Sequence, residues 1–185
     1  MWNYAKKKTT RYKEQDPKKV EAYLEEIKDI PPENIAYVDE SGIETYLYRE
    51  YAYALRGEKV IDRISGRKFQ KTNIVAAKLN DKIIAPLQYN GTTDAPLFEY
   101  WFEQRLLPCL PEAAVIVMDN ASFHKKEALF KIADKHNRKL IFLPPYSPEL
   151  NPIENFWAVL KRWLKMHIRE FDSLDDAISA AFQIF

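Results

Sequence analysis

The stretch Ala113–Asn120, "AAVIVMDN", limits most tightly what this chain can fold into. Six apolar residues run without a polar interruption and then give way to Asp119. A strand with one wet face alternates apolar and polar side chains. This one does not, so both its faces need cover, as in a parallel sheet with helices on either side. The run is far shorter than the ~20 apolar residues of a membrane-spanning helix.

Neighbouring segments supply the partners. Asp16-Pro17 reads as the N-cap and first position of a helix, with Val20, Leu24, Ile27 and Ile30 on its apolar face and Pro31-Pro32 as its stop. "NIAYVDESG" (Asn34–Gly42) reads as a strand that stops at two acids and a glycine. Residues 44–70 read as an irregular β-hairpin region with a turn at Arg56-Gly57. Thr72–Leu79 and Lys82–Tyr89 form two strands about an Asn80-Asp81 turn. A helix from Thr93-Asp94 carries Leu97, Phe98, Trp101, Phe102 and Leu106 towards Pro108. After the apolar strand come a helix over about 122–136, a strand at Lys139–Leu143, and helices near 152–166 and 173–184. Right-handed crossovers then make the strands ending at Asp39, Asp119 and Leu143 parallel in one sheet. The expected class is α/β, divided into a basic arm and linker helix over residues 1–33 and a catalytic-type domain over 34–185.

Ligands of such sheets gather at the carboxyl ends of the strands, which makes Asp39 and Asp119 neighbours. Two carboxylates side by side repel unless a cation lies between them. Oxygen donors of this kind suit Mg²⁺ or Mn²⁺ rather than Zn²⁺. A pair of such ions ~4 Å apart serves phosphoryl transfer. Glu154, at the head of a helix behind "LPPYSPELNPIENFW" (Leu143–Trp157), is the natural third ligand. Each acid also has a plain reading: Asp39 as a strand end, Asp119-Asn120 as a turn and helix cap. Glu154 has the strongest rival, a capping box with Asn151 at the N-cap and Pro152 next. Trp157, Leu160 and Leu164 follow helical spacing and read as core.

Together "VDESG", "VMDNASFHK" and "LPPYSPELNPIENFW", with 34 residues between Asp119 and Glu154, resemble the DDE transposases of the mariner superfamily, in the branch carried by bacterial insertion sequences. The resemblance runs from about Asn34 to the C-terminus. It implies an RNase H-like fold, a mixed five-stranded sheet flanked by helices. It implies Asp39, Asp119 and Glu154 as catalytic and metal residues, with two Mg²⁺ or Mn²⁺ ions. It further implies cleavage at transposon ends and strand transfer into target DNA at TA dinucleotides. His124 matches a family histidine that orients water or phosphate; its plain reading is a half-buried residue at a helix start. Asn120 contacts substrate or caps the helix, and capping is the favoured role. Two rival readings fit the same fold: a truncated, non-catalytic DNA-binding remnant, or an RNase H-like nuclease.

Net charge is +1, so any affinity for DNA rests on local clusters. Lys6, Lys7, Lys8 and Arg11 form a basic arm, and Lys161, Arg162 and Lys165 follow Glu154; both suit phosphate contacts. Tyr46, Tyr48, Tyr51 and Tyr53 either stack on bases or simply alternate along a strand. The family's helix-turn-helix modules find no room before Asn34, so end recognition is expected from a separate subunit or reading frame, with a homodimer assembled on DNA. The single Cys109 leaves no internal disulfide, and the polar N-terminus has no signal-peptide character. The expected setting is the bacterial cytoplasm, at the nucleoid when bound to DNA, without a membrane partner.

Overall fold

The computed structural model describes residues 12–44, 54–57, 59, 61 and 71–185. Five strands, β1 (Ile35–Glu44), β2 (Lys71–Leu79), β3 (Lys82–Tyr89), β4 (Val115–Met118) and β5 (Lys139–Phe142), form one sheet in the order β3-β2-β1-β4-β5. β1, β4 and β5 are parallel, and β2 and β3 are antiparallel additions at one edge. As its sequence demanded, β4 is buried throughout. Ile116 and Met118 pack into one apolar cluster, Val115 and Val117 into another on the opposite face.

The helices divide between those faces. α2 (Ala95–Trp101) and α3 (Lys126–Lys135) cover one, burying Phe98, Trp101, Leu129 and Ala133 with Ala36 and Val38 of β1. α4 (Ile153–His167) and α5 (Leu174–Ile184) pack Trp157, Leu160, Leu164 and Ile178 against Ile43, Ile74 and Ala76. α1 (Pro17–Ile27) is capped by Asp16, whose side chain accepts from the Lys18 N–H. It docks through Tyr23 and Ile27 beside Ile35 and Val117. Tyr23 takes the place expected of Leu24, which is exposed.

Four expectations about the elements need correction. β1 does not stop at its acids: it runs five residues past Asp39, held by β2, with Asp39 opposite Ala76 and Glu44 opposite Lys71. α2 is not one helix to Pro108. It widens into a π-helical turn at Phe102–Leu106 and tightens into a 3₁₀ turn at Leu107–Cys109, where Pro108 has no N–H to continue an α-helix. α3 begins at Lys126, four residues late, because residues 119–124 form turns of their own. The capping box at Asn151 is absent, as described below. The turn at Arg56-Gly57 is present, with Gly57 at φ +99°. The rest of the expected hairpin region, Tyr46, Tyr48, Tyr51 and Tyr53 included, lies outside the described residues, as does the arm of Lys6, Lys7, Lys8 and Arg11.

Candidate metal centre

Parallel pairing aligns Ile35 with Val115 and Tyr37 with Val117. The same register, carried two residues on, brings Asp39 beside Asp119 just past the point where β1 and β4 stop pairing. Both line a cavity of about 610 Å³ together with Glu154. Its rim is the loop Leu143–Pro148, with Asn120, Ala121, Asn151 and Tyr12 completing the wall.

Each acid is held differently. Asp39 is buried, and its Oδ2 accepts from the Trp157 indole Nε1–H at 2.9 Å. Burial, then the charges of Glu154, Glu40 and Asp119, push its carboxyl up to about 8, against the lowering effect of the Trp157 hydrogen bond. Asp119 sits on a local turn in which its Oδ1 accepts from the Ala121 N–H at 3.0 Å. Glu154 is exposed in the first turn of α4.

The capping explanation of Glu154 fails here. Asn151 does not cap α4 with its side chain. Its buried amide turns inward and donates to the carbonyl of Val38 at 3.3 Å, tying the head of α4 to β1 next to Asp39. The loop before it is braced as well. Gln15 donates to Ser147 Oγ at 2.9 Å and to Glu149 Oε1 at 2.5 Å, and Tyr146 adopts φ +59°, a conformation non-glycine residues rarely hold. The proline-rich stretch therefore sets where α4 begins and where Glu154 stands.

Asn120 is not a helix cap either. Its side-chain N–H donates to the carbonyl of Leu143 and joins the ends of β4 and β5, while α3 begins six residues later without it. His124 is more buried than expected, with its side chain 1% exposed, between the rings of Phe98 and Phe123 at centroid distances of 4.3 and 4.5 Å. Its Nδ1 lies 3.3 Å from the Asp119 carbonyl and its Nε2 3.2 Å from Glu40 Oε1. Arg162 and Lys165 are exposed on α4 and Lys161 is half-buried.

Sequence reasoning missed Glu40 and the polar role of Trp157. Glu40 follows Asp39 in a strand, so it points to the opposite face, a signal that was available. Trp157 carried none, because its spacing along α4 fits a core residue equally well. Glu40, Asp119 and His124 also place one potential ligand atom each within 4.8 Å of one another. Within that group both ring nitrogens of the histidine are already engaged by protein, whereas Asp39, Asp119 and Glu154 line one cavity. An all-oxygen set with one carboxyl displaced upward by burial and then by its acidic neighbours fits a hard divalent cation such as Mg²⁺ or Mn²⁺.

Solved structures with this fold include the Mos1 transposase paired-end complex with the left transposon end. It is 19% identical, with a TM-score of 0.73 over 100% of this chain and 60% of that one. The catalytic domain of Mos1 mariner transposase is 17% identical, with a TM-score of 0.62 over 91% of this chain and 78% of that one. A Mos1 mariner paired-end complex with Mn gives 18% identity and a TM-score of 0.66, over 100% of this chain and 60% of that one. These likenesses establish the RNase H-like fold. An uncharacterized protein of Sinorhizobium fredii (strain NBRC 101917 / NGR234), y4pE/y4sA, is 43% identical over 67 residues, 36% of this chain and 46% of that protein. The chain thus spans about half the length of that relative and 60% of the paired-end transposase chains. The sequence profile of the DDE superfamily endonucleases matches residues 34–178, nearly the whole α/β unit, and the chain belongs to that family.

Proposed function

We propose that this chain is the catalytic domain of a transposase, which cleaves DNA strands at the ends of an insertion sequence and joins them to target DNA at TA dinucleotides. The observation that carries the reading is the convergence of Asp39, Asp119 and Glu154 on one cavity, with the Asp39 carboxyl pushed up to about 8 by burial and by like charge. Family membership and the fold shared with Mos1 transposase support it.

Asp39, Asp119 and Glu154 would hold Mg²⁺ or Mn²⁺, as two ions. When bound, these supply Lewis acidity to the scissile phosphate and charge stabilisation to the attacking and leaving oxygens. The chain's own work is orientation. Trp157 fixes one oxygen of Asp39 from beneath. The turn at Ala121 holds one oxygen of Asp119 and leaves the other for the cavity. Asn151 anchors the start of α4 to β1, so Glu154 projects from a fixed point although its side chain is exposed. Buried apolar residues Leu143 and Pro144 wall the cavity beside the buried Asp39 carboxyl, where charge interactions are strong. Recognition of transposon ends by a separate helix-turn-helix subunit or reading frame, a homodimer on DNA, and action at the bacterial nucleoid belong to the same proposal.

The test is a nicking assay on duplex DNA carrying the element's terminal repeats. Cleavage that needs Mg²⁺ or Mn²⁺ and disappears in Asp39→Asn and Asp119→Asn, with folding intact, is expected. Folded wild-type protein that binds neither ion and nicks no DNA in the presence of the end-binding subunit overturns the reading.

A further inference from the structure

We infer that Glu40 and His124 form a positioning pair that aims the Asp119 carboxylate into the cavity; the inference rests on the metal-dependent reading above. The carbonyl of Asp119 can only accept, so the hydrogen of the 3.3 Å contact is on His124 Nδ1. The 3.2 Å contact between Nε2 and Glu40 Oε1 then needs one further proton, carried by the imidazole or by the carboxyl. In both states the ring is tied at its two ends, to β1 through Glu40 and to the turn after β4 through Asp119. Phe98 and Phe123 pack closely about it and block rotation. Nδ1 also lies 3.5 Å from Asp119 Oδ1, the oxygen already engaged by the Ala121 N–H. One Asp119 oxygen is thus occupied on the protein side, which leaves the other for the cavity that Asp119 lines with Asp39 and Glu154.

The arrangement uses both faces of β1. Asp39 points to the α4 side, where Trp157 receives it, and Glu40 to the α2 side, where His124 waits. Adjacent residues of one strand therefore set the positions of two acids, one directly and the other through a histidine. Loss of a group that orients a ligand in this way typically lowers metal affinity by about 10–100-fold.

The test measures Mn²⁺ binding to the whole chain by electron paramagnetic resonance, beside Mn²⁺-dependent nicking. Glu40→Ala should raise the Mn²⁺ concentration for half-saturation by about tenfold or more, in both readouts. Glu40→Gln should bind nearly as wild type, because an amide can accept from or donate to Nε2 and still hold the ring. Glu40→Leu fills the same space without the hydrogen bond and should behave like the alanine variant, which covers the case in which Glu40→Ala fails to fold. A purely structural role predicts a lower melting temperature with unchanged half-saturation once folded, and that result overturns the inference. Equal losses in Glu40→Gln and Glu40→Ala overturn it differently, by making Glu40 a metal ligand itself. Wild-type protein that binds no Mn²⁺ removes the metal-dependent reading and this inference together, whereas wild-type binding matched by Glu40→Ala removes only the inference.

Discussion

Glu154 and Asp39 present opposite situations to the solvent, and substitutions at each read out different physics. Glu154 is exposed and caps nothing, so Glu154→Gln and Glu154→Ala should both leave stability within about 0.5 kcal/mol of wild type. In the proposed role of ligand to a hard cation, its carboxylate would have no neutral substitute. Both variants should therefore lose nicking while melting like wild type; Glu154→Gln cleaving at the wild-type rate in Mg²⁺ would falsify the three-carboxylate mechanism. Asp39 is buried, and its carboxyl rises from 3.8 to about 8 on folding. Between those values the folded protein holds a proton that the unfolded chain has released. The stability contributed by Asp39 is therefore fully present below pH ~4 and declines as pH rises towards 8. At about 1.4 kcal/mol per pH unit the effect is on the order of a few kcal/mol. Metal-free wild type should melt lower at pH 8 than at pH 5, and Asp39→Asn, which can still accept from Trp157, should flatten that slope. Identical pH profiles of the melting temperature for the two proteins would sink the assignment.

At the scale of elements, the sequence was most legible where the signal was local. The apolar run of β4 recorded burial on both faces, and that alone implied a parallel sheet. Asp16 stood before a helix as a cap and acts as one. Long-range partners decided the rest. β1 extends past its acids because β2 pairs with it to Glu44, and nothing within Asn34–Gly42 foretells a strand about thirty residues away. The capping box was a sound local pattern, yet the amide of Asn151 was claimed by Val38, 113 residues distant. Trp157 combines both kinds of information: its helical phase places it in the core, while its Nε1–H serves an acid on another element. Trp157→Phe keeps most of the packing and removes that donor, leaving a buried carboxyl with one partner fewer. The expected cost is about 1–3 kcal/mol in a urea melt, with nicking reduced beyond what partial unfolding explains. Trp163→Phe, on the same helix and without a carboxylate partner, should lose stability without a specific loss of nicking. Equal effects at both positions would show that Trp157 only packs.

At the scale of the whole molecule, the question is how a nearly neutral chain would hold the DNA of the proposed reaction next to three acids. α4 offers one answer. Lys161 and Lys165 lie seven and eleven residues after Glu154, close to two and three helical turns, so all three fall on one side of the helix. At 1.5 Å per residue the cations stand roughly 10 and 16 Å from the carboxylate along the axis. A DNA strand entering the cavity can therefore run along α4 with its phosphates passing from the acidic site onto the lysines, and Arg162 extends the basic surface around the helix. The geometry concerns the backbone of DNA and supplies no contact to base edges, so its contribution should be indifferent to sequence. Replacing Lys161, Arg162 and Lys165 together with alanine should weaken binding to end and random duplexes by the same factor. It should also reduce the slope of log affinity against log salt by about 0.9 for each phosphate that is no longer neutralised, up to nearly 3 for the triple variant. Stability should change little, because Arg162 and Lys165 are exposed and alanine favours the helix. Fluorescence anisotropy over a range of salt concentrations measures both quantities. An unchanged salt slope would mean that these residues face away from the DNA, and a loss confined to the terminal sequence would mean that α4 reads bases.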